Sequence, residues 1–192
     1  MTFKEEILSF QKILEIIESD FIESKINEIA NSIVQISKTN KVIAIFGNGG
    51  SASDSNHLAG ELVCTFSDKN RRAINAVSLV SNPSVMTAWS NDVDFEFVFS
   101  RQIEALNTSL GMAIGLSTSG KSKNVLSGLK KAKEYGSKTV LITGLKPNNL
   151  EFIDIIISFP SNNTGFVQTL TQLVYHSICK CIDQIELSIN GE

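Results

Sequence analysis

Five short apolar runs, separated from one another by segments with helical spacing, limit what this chain can fold into more than any other feature. The runs are continuous rather than alternating in polarity, which is typical of parallel strands covered on both faces. The segments between them repeat apolar residues every three or four positions, as amphipathic helices do. This alternation predicts a doubly wound α/β sandwich. The predicted strands are 41–46, 73–79, 111–116, 138–143 and 153–159.

Helices are expected between the strands and at both ends of the chain. Residues 3–38 have helical spacing and no strand signal, which predicts one long helix or two ahead of the sheet. A chain of 192 residues with 42 % hydrophobic residues is long enough to bury one core, so a single domain over 1–192 is expected. The other predicted helices are 51–66, 84–90, 95–106, 121–135 and 166–187.

Charge and cysteine content narrow the class of protein. The net charge is −3 and no cluster of Lys and Arg forms a basic patch, so no nucleic-acid partner is predicted. Three cysteines cannot all pair, which indicates reduced thiols. The N-terminal residues lack the apolar stretch of a signal peptide, and no run is long enough to span a bilayer. A cytoplasmic protein with no membrane partner is therefore expected.

Two glycine- and hydroxyl-rich loops follow predicted strands and lead directly into predicted helices. They occupy residues 47–51 and 117–122. Open parallel sheets bind ligands beyond the carboxyl ends of their strands, and glycines let backbone amides approach an oxyanion closely. The alternative is a pair of ordinary strand-to-helix turns in which Ser caps a helix. Because two such loops occur at one edge of the sheet, a phosphate or a polyol is the favoured ligand.

Residues 115–122, GLSTSGKS, also fit the pattern of a nucleotide-binding P-loop. That motif needs an Asp at the end of another strand to hold magnesium. The neighbouring predicted strands end near Thr143 and Ser158, and Asp154 lies at the wrong end of its strand. Nucleotide binding is therefore the less favoured reading.

An acid–base pair lies on the helix that follows the first loop. His57 and Glu61 are four residues apart, so both project from one helix face. They can share a divalent metal, act as a proton-transfer pair, or simply hydrogen-bond on a solvated face. The other histidine, His176, lies in an apolar helix eight residues after Gln168, where a buried structural histidine is the ordinary expectation.

Together these motifs carry a family resemblance. The runs GNGGSASDSNHLAGEL, NDVDFEFVFSRQIEAL and STSGKS, followed by Gln168 and His176, resemble the SIS (sugar isomerase) domain family, and within it the phosphoheptose isomerases. The resemblance implies a three-layer, flavodoxin-like αβα sandwich with a five-stranded parallel sheet and extra N-terminal helices. It also implies a homotetramer with active sites between subunits.

The resemblance further implies a set of site residues. Zinc would be held by His57, Glu61, Gln168 and His176, with Glu61 as the catalytic base and His176 as the acid. The expected reaction interconverts sedoheptulose 7-phosphate and a heptose 7-phosphate through an enediol, for lipopolysaccharide or capsule synthesis. The sugar phosphate would contact Asn48, Gly49, Gly50, Ser51, Glu61, Asn91, Asp92, Ser117, Thr118, Ser119, Ser122 and Gln168.

Three positions depart from the pattern of the family. Cys64 and Thr65 replace a glycine and a substrate-facing arginine after the catalytic glutamate, and Gly165 stands three residues before Gln168. These changes leave the metal and acid–base set intact and put the particular sugar in question. The alternative is a non-catalytic SIS-domain protein that binds a sugar phosphate or a replication-initiator partner.

An apolar stripe on the N-terminal segment predicts self-association. A helix ahead of the first strand has no obvious place in a sandwich whose faces are filled by crossover helices, and an apolar stripe left in water would be a large exposed patch. Burying it against a second copy predicts a dimer or a tetramer. The alternative is that the helix folds back onto its own sheet. The stripe consists of Phe3, Ile7, Phe10, Ile13, Leu14, Ile17 and Phe21.

Overall fold

The computed structural model describes residues 2–17, 19–146, 148 and 150–190, except the side chains of residues 20 and 190. It contains a five-stranded, all-parallel sheet with the strand order β2-β1-β3-β4-β5. The predicted α/β sandwich is therefore confirmed. The strands are β1 (Val42–Gly47), β2 (Ala76–Ser78), β3 (Leu110–Ser117), β4 (Lys138–Thr143) and β5 (Ile155–Ser158).

Seven α-helices accompany the sheet in the described part of the chain. The predicted N-terminal segment forms two of them, and the predicted helix 95–106 begins with one 3₁₀ turn (Phe95–Phe97) that the Asp94 carboxylate caps. The helices are α1 (Phe3–Ile16), α2 (Ser19–Ser37), α3 (Gly50–Val63), α4 (Pro83–Asp92), α5 (Val98–Leu106), α6 (Lys123–Glu134) and α7 (Thr164–Asn190).

Two apolar cores cover the two faces of the sheet. Because successive side chains of a strand point to opposite faces, Ile45 of β1 packs against α2, α3 and α7, whereas Phe46 packs against α5 and α6. The central strand β3 is buried along nearly its whole length, as its continuous apolar run predicted. Strand β2 is shorter than the predicted 73–79 because it lies at the edge and pairs with β1 through only three residues.

The N-terminal segment divides into two helices with different surroundings. Residues Ile29 and Ile33 of α2 are fully buried against the sheet, so the expectation that this segment has no place in the sandwich is wrong for α2. On α1, Phe10 and Ile13 pack against the same core, and the Phe10 ring contacts Phe166 of α7. Other members of the predicted stripe remain exposed: Phe3, Ile7, Leu14 and Phe21.

None of the described helices combines the length and the apolar character needed to cross a bilayer.

Candidate active site

The two predicted loops lie side by side because the strands before them are neighbours. Gly47 at the end of β1 is in register with Leu116 near the end of β3. Asn48 of the first loop and Asn124 at the start of α6 exchange two side-chain hydrogen bonds, each 2.8 Å long. Asn124 is buried, and no sequence pattern had marked it as part of the site. This amide pair fixes the two loops to each other at the carboxyl edge of the sheet.

Glycines shape the start of α3. Gly49 has a φ of +57°, in the left-handed region that L side chains rarely adopt, and it precedes the first turn of the helix. At Gly50 a side-chain carbon would overlap the amide of Gln168, so the absence of a side chain lets α7 approach the helix start closely. The expected contact residues Gly49, Gly50, Ser51 and Gln168 are thus close together.

The second loop is arranged as a hydroxyl-lined turn. The Ser117 hydroxyl donates to the Ser122 hydroxyl at 3.0 Å, and the backbone N–H of Lys121 donates to the Ser119 hydroxyl at 3.1 Å. Thr118 and Ser119 also line a cavity of about 970 Å³. The same cavity is lined by Lys121, Lys123, Lys130 and Lys146, so the loop faces a positively charged space.

The residues around this loop argue against a nucleotide-binding P-loop. Asp154 lies just before β5 and hydrogen-bonds to Thr139 and Lys133, at the opposite edge of the sheet from the loop. Strands β4 and β5 end at Thr143 and Ser158, as the sequence indicated, and neither residue is acidic.

The acid–base residues meet between α3 and α7. His57 Nε2 lies 3.0 Å from Glu61 Oε1, and the rings of His57 and His176 are 5.1 Å apart in an edge-to-face arrangement. One ligand atom from each of His57, Glu61 and His176 lies within 4.8 Å of the other two. The site is partly open, since 42 % of the His57 side chain and 22 % of the Glu61 side chain are exposed.

This cluster has the chemistry of a divalent-metal site. Imidazole and carboxylate are ordinary zinc ligands, and Nε2 of His176 is buried without a hydrogen-bond partner in the described structure. A buried polar atom without a partner is costly, so a ligand or an ion at this point would relieve a real penalty. Gln168 lies two turns before His176, and its amide lies against Gly50 at the start of α3.

Two further residues of the site had been given no role from the sequence. The Tyr175 hydroxyl lies 3.0 Å from His57 Nδ1 and 3.4 Å from Asp54 Oδ1. Asp54 lies three residues before His57 on α3, a spacing that could have indicated a shared helix face. Tyr175 gave no such signal, because its contact with α3 depends on how α7 packs.

Burial changes the acid–base properties of these neighbours. It raises the pKa of the Tyr175 phenol, and the nearby Asp54 carboxylate raises it further, so the hydroxyl stays protonated at neutral pH. Burial also raises the pKa of the Asp54 carboxyl, against the opposing hydrogen bond from Tyr175. The Cys179 thiol, buried near Glu61, has its pKa raised to about 12, which argues against a nucleophilic cysteine here.

A buried ion pair holds the far end of α3 against α7. Arg71 Nε lies 2.9 Å from Asp183 Oδ1, and the side chains are 2 % and 4 % exposed. The Arg71 guanidinium also donates to the backbone carbonyls of Glu61 and Leu62, at the end of α3. The other oxygen of Asp183 accepts from the backbone N–H groups of Ser67 and Asp68. The backbone at Glu61 is therefore tied to the helix that carries His176.

Two expected contact residues make no hydrogen bond to these groups in the described structure. Asn91 and Asp92 end α4, are exposed, and hydrogen-bond to each other. In the part of the chain that the structure describes, no hydrogen bond joins them to either loop or to His57. The charged cavity beside the second loop likewise does not include the His57 cluster.

Comparison with known proteins places this chain in a class. A family model described as SIS domain matches residues 7–144. The chain is 38 % identical over 175 residues to phosphoheptose isomerase 1 of Campylobacter jejuni, covering 91 % of this chain and 92 % of that protein. It is 42 % identical over 162 residues to a probable phosphoheptose isomerase of Thermoplasma acidophilum, covering 83 % and 88 %.

A solved structure agrees with the sequence comparisons. The phosphoheptose isomerase of Neisseria gonorrhoeae superposes with a TM-score of 0.79 at 29 % identity, over 95 % of each chain. The class is therefore the SIS-domain proteins. Within that class, the chain belongs to the phosphoheptose isomerase family, as the motifs had indicated.

Proposed function

We infer that this chain is an aldose–ketose isomerase whose substrate is a sugar phosphate, most closely sedoheptulose 7-phosphate. The observation that carries the inference is the meeting of Glu61 and His176, from helices distant in sequence, beside His57. The names of the relatives, phosphoheptose isomerases, support the seven-carbon substrate.

Binding is assigned to the two loops. Hydroxyls of Ser117, Thr118, Ser119 and Ser122 are suited to hold a phosphate, because they offer donors with little bulk. Lysines around the adjoining cavity add attraction for an anion. The glycine loop, from Asn48 to Ser51, and Gln168 would contact the sugar. Fixing the phosphate at one end positions the reacting carbons at the other.

The proton transfers then follow from the positions of the two groups. Glu61 takes the proton from C1 of the ketose while His176 gives a proton to the C2 oxygen, which produces an enediol. His176 then takes the proton from the C1 oxygen, and Glu61 returns its proton to C2. The product is the aldose, D-glycero-D-manno-heptose 7-phosphate, a precursor for lipopolysaccharide or capsule, and both residues end in their starting states.

Zinc is the proposed cofactor, with His57, Glu61 and His176 as ligands and Gln168 as a fourth candidate. The unpartnered Nε2 of His176 supports a metal here. When bound, a zinc ion supplies Lewis acidity that polarises the carbonyl of the sugar. His57 would contribute Nε2 as a ligand atom, which lies 3.0 Å from Glu61 Oε1.

A homotetramer or a dimer is proposed as the working form. The exposed apolar residues of α1 support it, because a face containing Phe3 and Ile7 is a large patch to leave in water. The openness of the His57 cluster is consistent with a second copy that completes the pocket. Asn91 and Asp92, which are exposed and hydrogen-bond to each other, would then contribute to a neighbouring site.

Replacement of Glu61 by Gln tests the function. Turnover of sedoheptulose 7-phosphate should fall about 10²–10⁴-fold, since the amide cannot accept the carbon-bound proton, while thermal stability stays the same. Glu104→Gln, in an exposed pair with Arg101, is the matched control and should keep full turnover.

The substrate is tested on a panel of ketose phosphates with six to eight carbons. Preference for a sugar other than sedoheptulose 7-phosphate would assign Cys64, Thr65 and Gly165 to altered specificity. If the wild-type protein converts none of them, the isomerase proposal is wrong and a non-catalytic, sugar-phosphate-binding role replaces it.

A further inference from the structure

The Tyr175 hydroxyl links the acid–base cluster to a second carboxylate, that of Asp54. Its side chain is fully buried, and its oxygen lies between His57 Nδ1 at 3.0 Å and Asp54 Oδ1 at 3.4 Å. Among the described residues the Tyr175 hydroxyl makes no hydrogen bond to either loop, and it has no part in the proton transfers proposed above. A buried hydroxyl in this position needs a reason.

Counting protons decides the direction of each hydrogen bond. A tyrosine hydroxyl has one proton to donate, and an ionised carboxylate can only accept. If Tyr175 donates to Asp54, its oxygen must accept from His57, so Nδ1 of His57 carries a proton. If Tyr175 instead donates to His57, the Asp54 oxygen faces the phenol oxygen with no proton between them. With Asp54 ionised, only the first arrangement satisfies all three groups.

The consequence falls on the other ring nitrogen. With the proton on Nδ1, a neutral His57 has its lone pair on Nε2, the nitrogen that lies 3.0 Å from Glu61 Oε1. Two lone pairs that face each other at that distance need a proton or a metal ion between them, and a divalent metal bound by both ligand atoms meets that need. Histidine ligands generally donate their second N–H to an acceptor in this way, which fixes both tautomer and ring orientation.

We propose that Tyr175 and Asp54 are positioning residues that hold His57 with Nδ1 protonated and Nε2 free to bind a divalent metal together with Glu61. Asp54 directs the hydroxyl, the hydroxyl accepts from the ring, and the ring presents Nε2. This inference rests on the metal site of the proposed function. It adds that the affinity of the site for the metal depends on the Tyr175 hydroxyl.

Zinc affinity tests the proposal directly. Full-length protein is titrated with Zn²⁺ in competition with a chromophoric chelator, and His57→Ala defines any binding elsewhere. Tyr175→Phe keeps the buried ring and should weaken zinc binding about 10–100-fold. Tyr135→Phe is the matched control, because it removes the hydroxyl of the other tyrosine, which is exposed at the end of α6.

A double-mutant cycle separates positioning from general loosening. In Asp54→Ala the hydroxyl is free to donate to Nδ1, which favours the proton on Nε2 and should also weaken zinc binding. In the double variant no hydroxyl remains, so its affinity should equal that of Tyr175→Phe alone. Losses that add fully would show two independent structural effects and overturn the proposal.

A spectroscopic measurement checks the direction of the bond. In zinc-loaded protein with ¹⁵N-labelled histidine, the Nδ1–H of His57 should give a slowly exchanging signal, which Tyr175→Phe should abolish and Tyr135→Phe should keep. Unchanged zinc affinity in Tyr175→Phe, absence of zinc binding by the wild type, or an unprotonated Nδ1 would each overturn the inference. Failure of the isomerase assay with this zinc pattern intact would instead refute the proposed function alone.

Discussion

Helices α3 and α7 meet at two places that are built in opposite ways. At the far end of α3, Arg71 and Asp183 are almost completely buried. Arg71 Nε and Asp183 Oδ1 face each other as an ion pair 2.9 Å apart, and the other polar atoms of both side chains bind backbone groups. Nearer the loops, the same two helices bring together His57, Glu61 and His176, where one ring nitrogen has no partner and His57 is partly open to solvent.

The difference separates stability from chemistry within one helix pair. A buried ion pair with many hydrogen bonds costs several kcal/mol to break, because a lone buried charge remains. An unsatisfied nitrogen lowers stability and is kept where a ligand is to bind. The closed contact therefore holds in place the backbone that carries the open one. The first two of the following predictions each change one side of this comparison, and the third changes the loops beside the open contact.

The largest expected effect is on the open side. His176→Leu should lower isomerase turnover about 10²–10⁴-fold, because the acid is lost. The free energy of unfolding should stay the same or rise, because the variant removes a buried nitrogen without a partner. Steady-state kinetics and urea unfolding measure the two quantities. A large fall in the free energy of unfolding would show that His176 stabilises the fold, which would contradict the division between a stabilising contact and a catalytic one.

The next effect is on the closed side. Asp183→Ala should lower the free energy of unfolding by about 3–5 kcal/mol, since Arg71 is left as an uncompensated buried charge. Urea unfolding gives the value. Glu104→Ala removes one partner of the exposed pair with Arg101 and should cost less than about 1 kcal/mol. Equal losses in the two variants would contradict the assignment of the stabilising role to the buried pair.

The smallest effect falls on the contact between the two loops. Asn124→Ala removes the partner of Asn48 and should lower the free energy of unfolding by about 1–3 kcal/mol. Because the loops are assigned to binding, KM for the sugar phosphate should rise several-fold with little change in kcat. Asn31→Ala, which removes an exposed amide on α2, is the control for stability. An unchanged KM would separate the amide pair from substrate binding.

Local patterns predicted the framework well. Continuous apolar runs identified all five strands, and glycine-rich loops marked the carboxyl edge where Asn48 and Ser119 lie. The boundaries were less accurate at the edge strand β2 and at the end of α3. At these boundaries tertiary contacts end the element before its apolar pattern ends. At α3, for example, the Arg71 guanidinium donates to the last carbonyls of the helix.

The sequence did not predict the roles of residues that depend on contacts with another helix or strand. Asn124 looked like an ordinary helix residue, and it matters only because β1 and β3 are neighbours. Arg71 and Arg72 are adjacent and looked alike in the sequence. In the structure Arg71 is buried against Asp183, whereas Arg72 reaches Glu186 from the surface.

The sequence by itself determined the fold class, the two loops and the pairing of His57 with Glu61, because each depends on spacing within one strand, loop or helix. The resemblance to a family implied that His176 joins that pair, whereas spacing within the chain could not show it. The tertiary structure brings the three ligand atoms together, and it alone reveals the hydrogen bonds among Tyr175, Asp54 and His57. Those contacts cross from α3 to α7. Their geometry depends on how two helices pack on one face of the sheet, and no periodicity within either helix records it.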